Sequence, residues 1–331
     1  MKLVTFSGQN DEGRLGACIA DGGAVLDLKL AARVLGREAR RSLESMQALI
    51  EGGEKELERV RALVEAAPDE AIRDLAGVRL LAPLPRPPQM RDFICFEQHL
   101  KQAGEAAIQM RAAASDDPEA TAAALREAGW LGVPDVWYEQ PLYYKCNRFS
   151  VCGPEVTVTW PAYSTVMDFE LELACVIGKQ GRDIARADAP AHIFGYTIFN
   201  DLSARDAQMR EMRGPLGPAK GKDFDNANVL GPCIVTADEI ADPYNLTMIA
   251  RIDGEQWCKA NSGSIHWKFD DMIAHVSQAE TLHPGEVLGS GTVGGGCGLE
   301  HQRFLEDGAV VELEIEGIGV LRNRVIRGGS D

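Results

Sequence analysis

Residues 167–174 read Met-Asp-Phe-Glu-Leu-Glu-Leu-Ala, with acidic and apolar side chains in alternation. This period of two is typical of a β-strand and places Glu170 and Glu172 on one face, about 7 Å apart along the backbone. Two carboxylates at that spacing can bind one hard divalent cation, which prefers oxygen ligands. The pattern also suits a half-buried strand with a solvated face, and residues 311–316 repeat it with three glutamates. A metal site therefore needs support from further acidic residues.

A second acidic stretch supplies that support. Residues 198–208 read Ile-Phe-Asn-Asp-Leu-Ser-Ala-Arg-Asp-Ala-Gln and contain Asp201, Arg205 and Gln208. Asp201 adds a carboxylate to the pair at 170 and 172, which favours an oxygen-only cation site. Asp206 is better explained as the partner of an arginine or as a helix cap.

Two shorter pieces complete the candidate site. Asp92 precedes His99 by seven residues, and Gly221 is followed by Lys222. A helix N-cap is the alternative role for Asp92. Lys220 is as basic as Lys222 and is interpreted as a solvated neighbour.

Length, composition and charge limit the class of protein. A chain of 331 residues with 45% hydrophobic content can bury a sizeable core and predicts two domains, or one large domain with an appendage. The net charge of −16 argues against nucleic acid or an anionic membrane as partner. We find neither a secretory apolar segment nor an apolar run long enough to span a membrane. The eight cysteines form no CxxC pair, so we expect a reduced, soluble, cytoplasmic protein.

The N-terminal part of the chain predicts a small α+β unit. Residues 1–28 contain short apolar runs with a hairpin signal at residues 21–23, and residues 29–76 are helical in composition with breaks at 52–53 and around Pro68. Four prolines then fall within residues 83–88, which excludes a regular helix or a central strand there. We predict an N-terminal α+β domain of residues 1–80 and a catalytic domain of residues 81–331.

The catalytic part is predicted to be rich in β-strands. Residues 102–130 are rich in alanine and charge, which indicates exposed helices broken near residues 116–118 and a lid-like excursion. From Tyr143 onward, short strands alternate with Gly/Pro turns; we predict strands at 155–160, 170–177, 193–200, 233–236, 246–253 and 310–316. The predicted fold class is mixed α/β and β-rich, without repeated βαβ units.

Several familiar motifs are excluded by their context. Residues 289–294 match GxGxxG, but a glycine pair follows instead of the helix that a dinucleotide site requires. Gly221-Lys222 lacks the rest of a P-loop, and no serine lies in a GxSxG elbow. The six histidines show no spacing suited to zinc.

Taken together, these pieces resemble the fumarylacetoacetate hydrolase family over residues 81–331. The resemblance depends chiefly on Glu-x-Glu at 170–172 and Asn-Asp-x-Ser-Ala-Arg-Asp at 200–206. It implies a family-type catalytic fold, a mixed β-sheet roll or barrel, in a homodimer. It also implies four carboxylate ligands for Mg²⁺ or Ca²⁺, with Mn²⁺ as a further option: Asp92, Glu170, Glu172 and Asp201.

The resemblance also implies roles for other residues. His99 corresponds to a histidine that activates water in the longer family members. Substrate binding and stabilisation of developing negative charge would involve a larger set: Arg205, Gln208, Lys222, Thr292, Tyr144 and Lys145.

Two positions depart from the family pattern. Ile94 stands where longer members have a substrate-binding tyrosine, and Gln102 stands where smaller members pair the histidine with a glutamate. An amide cannot stabilise an imidazolium as a carboxylate can. In the longer members a late glutamate orients the histidine, so the resemblance implies Glu300 for this role, with Glu105 as the alternative.

The resemblance implies metal-dependent hydrolysis of a carbon–carbon bond in an acylpyruvate-like or fumarylacetoacetate-like 1,3-dicarbonyl acid, as in the catabolism of aromatic compounds. His99 would take a proton from the attacking water, while Lys222, Arg205 and Gln208 stabilise the departing enolate. The enzymatic alternatives are an oxaloacetate-type decarboxylase or tautomerase and a hydratase of a dienoic acid. The non-enzymatic alternative is a metal-binding interaction protein, which would have no need of His99.

Overall fold

The structure is a computed structural model that describes residues 1–7, 13–38, 40–129, 132–214 and 216–328. Its strands, in chain order, are β1 (Lys2–Ser7), β2 (Gly13–Ile19), β3 (Ala24–Asp27), β4 (Ile72–Asp74), β5 (Arg79–Leu81), β6 (Met90–Phe93), β7 (Tyr143–Lys145), β8 (Val151–Cys152), β9 (Thr157–Trp160), β10 (Met167–Asp168), β11 (Leu171–Ile177), β12 (Ile193–Asp201), β13 (Ser203–Ala204), β14 (Asn228–Thr236), β15 (Thr247–Ile252), β16 (Glu255–Asn261), β17 (Val287–Gly289), β18 (Val310–Ile315) and β19 (Gly319–Arg327). Its α-helices are α1 (Leu28–Val34), α2 (Met46–Ala66), α3 (Glu97–Ala113), α4 (Pro118–Glu127), α5 (Asp135–Glu139), α6 (Arg205–Glu211), α7 (Phe269–Val276) and α8 (Gly298–His301). Within these ranges no helix is long and apolar enough to cross a membrane.

Two large sheets form the framework. The first has twelve strands in the order β4-β3-β2-β1-β14-β12-β11-β17-β6-β7, with β5 paired to β1 and β8 paired to β14. The second has five strands in the order β16-β15-β18-β19-β9, and β10 pairs with β13 separately. Most neighbours are antiparallel, whereas three pairs are parallel: β6 with β17, β8 with β14 and β9 with β19. The predicted β-rich, mixed α/β class is confirmed, although the strand orders of the described residues are open and not closed barrels.

The N-terminal strands belong to the same sheet as the catalytic strands. β1 pairs with β14, with Leu3 opposite Ile234. Leu3 and Leu26 pack in one hydrophobic cluster with Phe199 and Leu230. The first sheet and this part of the core therefore continue across the boundary predicted at residue 80, because β1 pairs with β14 as well as with β2 and β5.

α2 is the longest helix of the N-terminal part, and its geometry explains the breaks predicted at residues 52–53 and around Pro68. The hydroxyl of Ser45 accepts a hydrogen bond from the Ala48 amide and caps the start of α2. Gly53 interrupts the helix with φ +65° and ψ −164°, a conformation that glycine adopts readily. The helix ends at Ala66, just before Pro68. Its apolar face, which includes Leu49 and Val60, is buried against the sheet.

The alanine-rich segment forms a pair of helices, α3 and α4. The chain breaks between them where predicted, and the Asp117 carboxylate accepts from the Ala120 amide to cap α4. Ile108 and Ala112 of α3 pack against Ala122 of α4. Ala106 packs against Leu299 of α8, so the helix pair lies beside the loop that carries α8. Movement of this pair as a lid stays a prediction.

Residues 171–174 of the alternating acidic and apolar stretch begin β11, which lies in the middle of the first sheet. β11 lies between β12 and β17, and all seven of its residues are buried. In β18, which has the same alternation, the residues between the apolar positions are partly exposed; Glu314 pairs with Arg251 there. Identical periodicity therefore gives a buried acidic face in one strand and a solvated face in the other, because only β11 has its polar face covered.

Candidate metal centre and active site

Four carboxyl groups converge at the middle of the first sheet. Asp92 lies in β6, Glu170 precedes β11, Glu172 lies within β11 and Asp201 ends β12. Each offers an oxygen within 4.8 Å of the oxygens from the others, and all four residues are buried. The structure thus brings together the four residues named as metal ligands, and Asp92 stands in a strand instead of capping a helix.

A glycine makes room for this cluster. Gly289 of β17 pairs with Ala174 on one side and Asp92 on the other. A Cβ atom at this position would stand 2.7 Å from Oδ1 of Asp92 and 2.9 Å from Oε2 of Glu172. Gly289 belongs to the GxGxxG match that was set aside as a dinucleotide signal. Its importance here is the absence of a side chain beside two carboxylates, which the motif alone does not predict.

The cluster fits a divalent cation. One oxygen each of Asp92 (Oδ1), Glu172 (Oε1) and Asp201 (Oδ1) is buried without a hydrogen-bond partner among the described residues. Leaving buried carboxylate oxygens unsatisfied is costly, whereas a hard cation accepts several such oxygens at once. The donor set contains oxygen atoms only, which suits Mg²⁺, Ca²⁺ or Mn²⁺ better than a soft metal.

Lys222 lies against the same carboxylates. Its Nζ lies 2.7 Å from Oε2 of Glu170 and 2.6 Å from Oδ2 of Asp201. Burial lowers the pKa of Lys222, but the negative charges of Asp201 and Glu170 outweigh burial, so its pKa is raised and the ammonium stays charged. The Tyr144 hydroxyl donates to the same oxygen of Asp201 at 2.6 Å.

The four carboxyls of the cluster differ widely in pKa. Burial raises the pKa of Glu170, but the positive charges of Lys222 and Arg205 outweigh it and lower that pKa to about 2. Burial raises the pKa of Asp201, and Lys222 opposes this only in part, which leaves it at about 6. Burial and neighbouring negative charge raise the pKa of Asp92 and of Glu172 well above the ordinary range. Without a cation, the cluster therefore retains protons.

Arg205 connects the cluster to its surroundings. It begins α6, and its NH1 lies 2.7 Å from Oε1 of Glu170. The same NH1 donates to Oε1 of Gln208, one helical turn later, at 2.9 Å. NH2 is buried and has no partner within the described ranges, so it remains available to an oxygen atom of a substrate.

Asp168 is a site residue that sequence reasoning missed. Its carboxylate accepts from Nε of Arg205 at 2.8 Å and from the amides of Gly298 and Leu299 at 2.7 and 2.9 Å. It is completely buried and joins the arginine to the start of α8. The alternation that pairs Glu170 with Glu172 extends back to Asp168, and this signal could have identified it.

His99 lies in the first turn of α3 and faces a glutamate. Its Nδ1 is 3.2 Å from Oε1 of Glu300, which is within ion-pair distance but outside hydrogen-bond geometry. Glu300 is held by the amides of Gly295 and Cys297 at 3.0 and 3.1 Å. Glu105 instead pairs with Arg126 at 2.5 Å on the exposed side of the helix pair. The structure thus brings Glu300, and not Glu105, to His99.

His99 is also close to the carboxylates. It is among the residues that lower the pKa of Glu170 against the effect of burial, after Lys222 and Arg205. The backbone of Glu170 forms an isolated β-bridge with Cys297, whose amide holds Glu300. The histidine–glutamate pair and the carboxylate cluster therefore belong to one site.

Thr292 and Lys145, two of the predicted substrate contacts, lie in different surroundings. Thr292 is buried and follows Gly291, whose amide donates to Oε2 of Glu172 at 3.1 Å. Lys145 is exposed, and it follows Tyr144 in β7, so the two side chains point to opposite faces of the strand. The structure does not bring Lys145 to the cluster, and its role as a substrate contact stays a prediction.

Known proteins resemble the chain along most of its length. Residues 90–326 match the family described as "Fumarylacetoacetate (FAA) hydrolase C-terminal". "Oxaloacetate tautomerase FAHD2A, mitochondrial" from Bos taurus is 33% identical over 333 residues, which cover 98% of this chain and 92% of that protein. The protein of the same name from Homo sapiens is 41% identical over 189 residues, 57% of this chain; the match spans only about 60% of the length of that relative.

Solved structures agree with these relatives. Maleylpyruvate hydrolase from Sphingobium sp. SYK-6, in complex with manganese(II) and pyruvate, has a TM-score of 0.71 and 26% identity, and covers 99% of this chain and 100% of its own. Fumarylacetoacetate hydrolase from Exiguobacterium antarcticum has a TM-score of 0.71 and 25% identity with the same coverage. The family match over residues 90–326, together with the relative that aligns with nearly the whole chain, places this protein in the fumarylacetoacetate hydrolase family.

Proposed function

We propose that this protein is a metal-dependent enzyme that hydrolyses a carbon–carbon bond in an acylpyruvate-like or fumarylacetoacetate-like 1,3-dicarbonyl acid. The observation that carries this proposal is the 3.2 Å approach of His99 Nδ1 to Glu300 Oε1 beside the carboxylate cluster. A carboxylate at one ring nitrogen stabilises the imidazolium that forms when the other nitrogen takes a proton. A purely structural metal site would not require such a pair.

The cation would be held by Asp92, Glu170, Glu172 and Asp201. Mg²⁺, Ca²⁺ or Mn²⁺ bound there would act as a Lewis acid toward the oxygens of the substrate. The manganese and pyruvate in the related maleylpyruvate hydrolase support both the metal class and a keto acid at the site. The excess of carboxylates over nearby cations in this chain supports the same assignment.

The side chains of this protein have separate tasks in hydrolysis. His99, oriented through Nδ1 by Glu300, takes a proton from water at Nε2, and the water oxygen bonds to the acyl carbonyl carbon. The bond between that carbon and the pyruvyl methylene then breaks, and its electron pair remains on the pyruvyl fragment as an enolate. The proton held by His99 returns to this fragment, which leaves a carboxylic acid and pyruvate. Lys222 and Arg205 stabilise the negative charge that develops on oxygen.

A panel of acylpyruvates tests this function directly. Each substrate would be incubated with Mg²⁺ or Mn²⁺, and loss of enol absorbance would be compared with formation of pyruvate and of the acid. Glu172→Gln should abolish turnover, whereas Glu314→Gln, which alters the matching glutamate of the solvated strand, should leave it unchanged. Turnover that survives complete removal of divalent cations would contradict the metal assignment.

Oxaloacetate tautomerisation is the second candidate. It is favoured by the bovine relative, which aligns with 98% of this chain and carries that name. Tautomerisation moves a proton between carbon and the enol oxygen and needs no attacking water, so the same base and charged side chains suffice. Loss of the oxaloacetate enol without release of pyruvate would identify it, whereas release of pyruvate and CO₂ would indicate decarboxylation.

The proposal also covers the oligomeric state and the cellular compartment of this protein. We propose a homodimer, which light scattering on the purified protein would test. The cytoplasm is the predicted compartment, although the tautomerase relatives carry "mitochondrial" in their names. Fractionation of cells that express the full chain would distinguish these compartments.

A further inference from the structure

A cavity of about 1140 Å³ opens between the helix pair α3–α4 and helix α6. Its lining is mainly apolar and includes Ala107, Met110, Leu125, Met209, Leu299 and Phe304. Met110 and Met209 are each 41% exposed, so they stand at the mouth of the cavity. Apolar side chains that are held open to solvent in a concave surface are typical of a ligand site.

The cavity adjoins the carboxylate cluster through one residue. Arg205 lines the cavity, and its NH1 lies 2.7 Å from Oε1 of Glu170. Leu299, which also lines the cavity, donates its amide to Asp168, the other carboxylate that binds Arg205. A substrate whose oxygens contact Arg205 at the metal centre would therefore direct its remaining atoms toward this cavity.

We propose that the cavity binds a bulky apolar acyl group of the substrate, such as an aryl or a medium-length alkyl chain. This inference rests on the proposed function, because it takes the dicarbonyl end of the substrate to lie at the carboxylate cluster. Methionine side chains are flexible and polarisable, so the Met110 and Met209 walls can adapt to different tails. Oxaloacetate has no such tail and would leave the cavity without an apolar occupant.

Charged side chains also border the cavity, and they influence which chemical group at the end of the substrate tail would bind there. Arg111 and Arg213 line it, together with Asp206. The Asp206 carboxylate is already bound by the Ser164 hydroxyl and the Thr165 amide at 2.6 and 2.8 Å. Arginines outnumber acidic residues in this lining, so a tail that ends in a carboxylate is a useful second probe. The apolar lining remains the reason for the proposed tail.

The test compares a series of acylpyruvates that differ in the acyl group. The probes are acetylpyruvate, longer alkanoylpyruvates, benzoylpyruvate and an alkanoylpyruvate with a terminal carboxylate, with Mg²⁺ present. We expect kcat/KM to rise roughly threefold for each added methylene until the cavity is filled. Met110→Trp should fill the mouth and lower kcat/KM about tenfold for the long probes while leaving acetylpyruvate unchanged. Ala113→Trp, on an exposed position of the same helix that does not line the cavity, is the matched control.

Calorimetric titration separates this inference from the proposed function. If no probe is turned over but binding tightens with tail length and Met110→Trp abolishes that gain, the cavity assignment holds and hydrolysis is wrong. If the probes are hydrolysed at rates and affinities independent of the tail, hydrolysis holds and the cavity assignment is wrong. Equal losses for long and short probes in Met110→Trp, with the melting temperature retained, would also overturn it. Met110→Ala, which removes bulk instead of adding it, should retain the preference for long tails.

Discussion

Nζ of Lys222 lies 2.6 Å from Oδ2 of Asp201 in the buried centre of the sheet. Neither side chain is more than a few per cent exposed, so the pair is shielded from bulk water. One ammonium contacts two of the four clustered carboxyls, so the carboxyl groups outnumber the cation that pairs with them. This imbalance determines how the metal-free protein responds to pH and to cations.

The first prediction concerns the pH dependence of the metal-free protein. The pKa of Asp201 is raised by burial from an ordinary 3.8 to about 6, and the pKa values of Asp92 and Glu172 are raised in the same direction. A carboxyl with a higher pKa in the folded state stabilises the fold below its unfolded pKa and loses that contribution as the pH rises through the folded value. We expect the melting temperature in a chelator to fall by several degrees between about pH 5 and pH 7.

Two controls accompany this melting experiment. Saturating Mg²⁺ should remove the fall, because the cation replaces the protons in the cluster. Asp201→Asn should make the dependence shallower, since one of the three titrating carboxyls is gone. A melting temperature that rises over this pH range in the wild-type protein, with the variant behaving alike, would contradict the raised pKa values.

The second prediction concerns Gly289. In Gly289→Ala the new Cβ would meet Asp92 Oδ1 at 2.7 Å and Glu172 Oε2 at 2.9 Å, so both carboxylates must move. We expect affinity for Mn²⁺, measured by calorimetry, to fall about 10- to 100-fold, as when groups that position metal ligands are altered. Gly77→Ala, where no atom lies within 4 Å of the added Cβ, should bind Mn²⁺ like the wild type. Unchanged affinity in Gly289→Ala would show that these two residues do not hold the cation.

Gly289 also illustrates where sequence reasoning succeeds and where it stops. The alternation at 167–174 predicts a strand and a same-face pair of glutamates, and both are present in or beside β11. Periodicity describes one strand alone, so it cannot distinguish buried Glu172 from solvated Glu314, whose surroundings come from distant strands. The space beside Gly289 depends in the same way on β6, nearly 200 residues earlier in the chain, since β6 and β17 are neighbours only after folding.

The third prediction concerns Asp168. Its carboxylate binds Arg205 and two amides at the start of α8, so Asp168→Asn removes a buried negative charge while keeping the shape of the side chain. Arg205 then loses one of its two acidic partners and its fixed orientation, which should lower kcat/KM about 10- to 100-fold. Binding of Mn²⁺ should change much less, because Asp168 is not among the four clustered carboxyls. Loss of metal binding as large as the loss of activity would instead place Asp168 among the ligands.

The last prediction separates the base from the residue that positions it. Because His99 is proposed to take the proton from water, His99→Ala should lower kcat about 10²- to 10⁴-fold, with KM and Mn²⁺ affinity nearly unchanged. Glu300→Gln keeps the hydrogen bonds of the loop in part but removes the charge beside Nδ1, so it should lower kcat less and shift the acidic limb of the pH–rate profile downward. Glu105→Gln, on the same helix as His99 and paired with Arg126 at the surface, is the control and should behave like the wild type.

Each departure from these expectations has a distinct meaning. Full turnover of an acylpyruvate by His99→Ala would exclude this residue as the base and favour tautomerisation supported by the charged side chains alone. Loss of Mn²⁺ from that variant would make His99 a ligand, in conflict with an oxygen-only site. An unchanged pH profile in Glu300→Gln would mean that the 3.2 Å contact does not stabilise the imidazolium, since removing a stabilising charge must lower the pKa of the group that it stabilises. The three variants together therefore test the chemistry of the site independently of its fold.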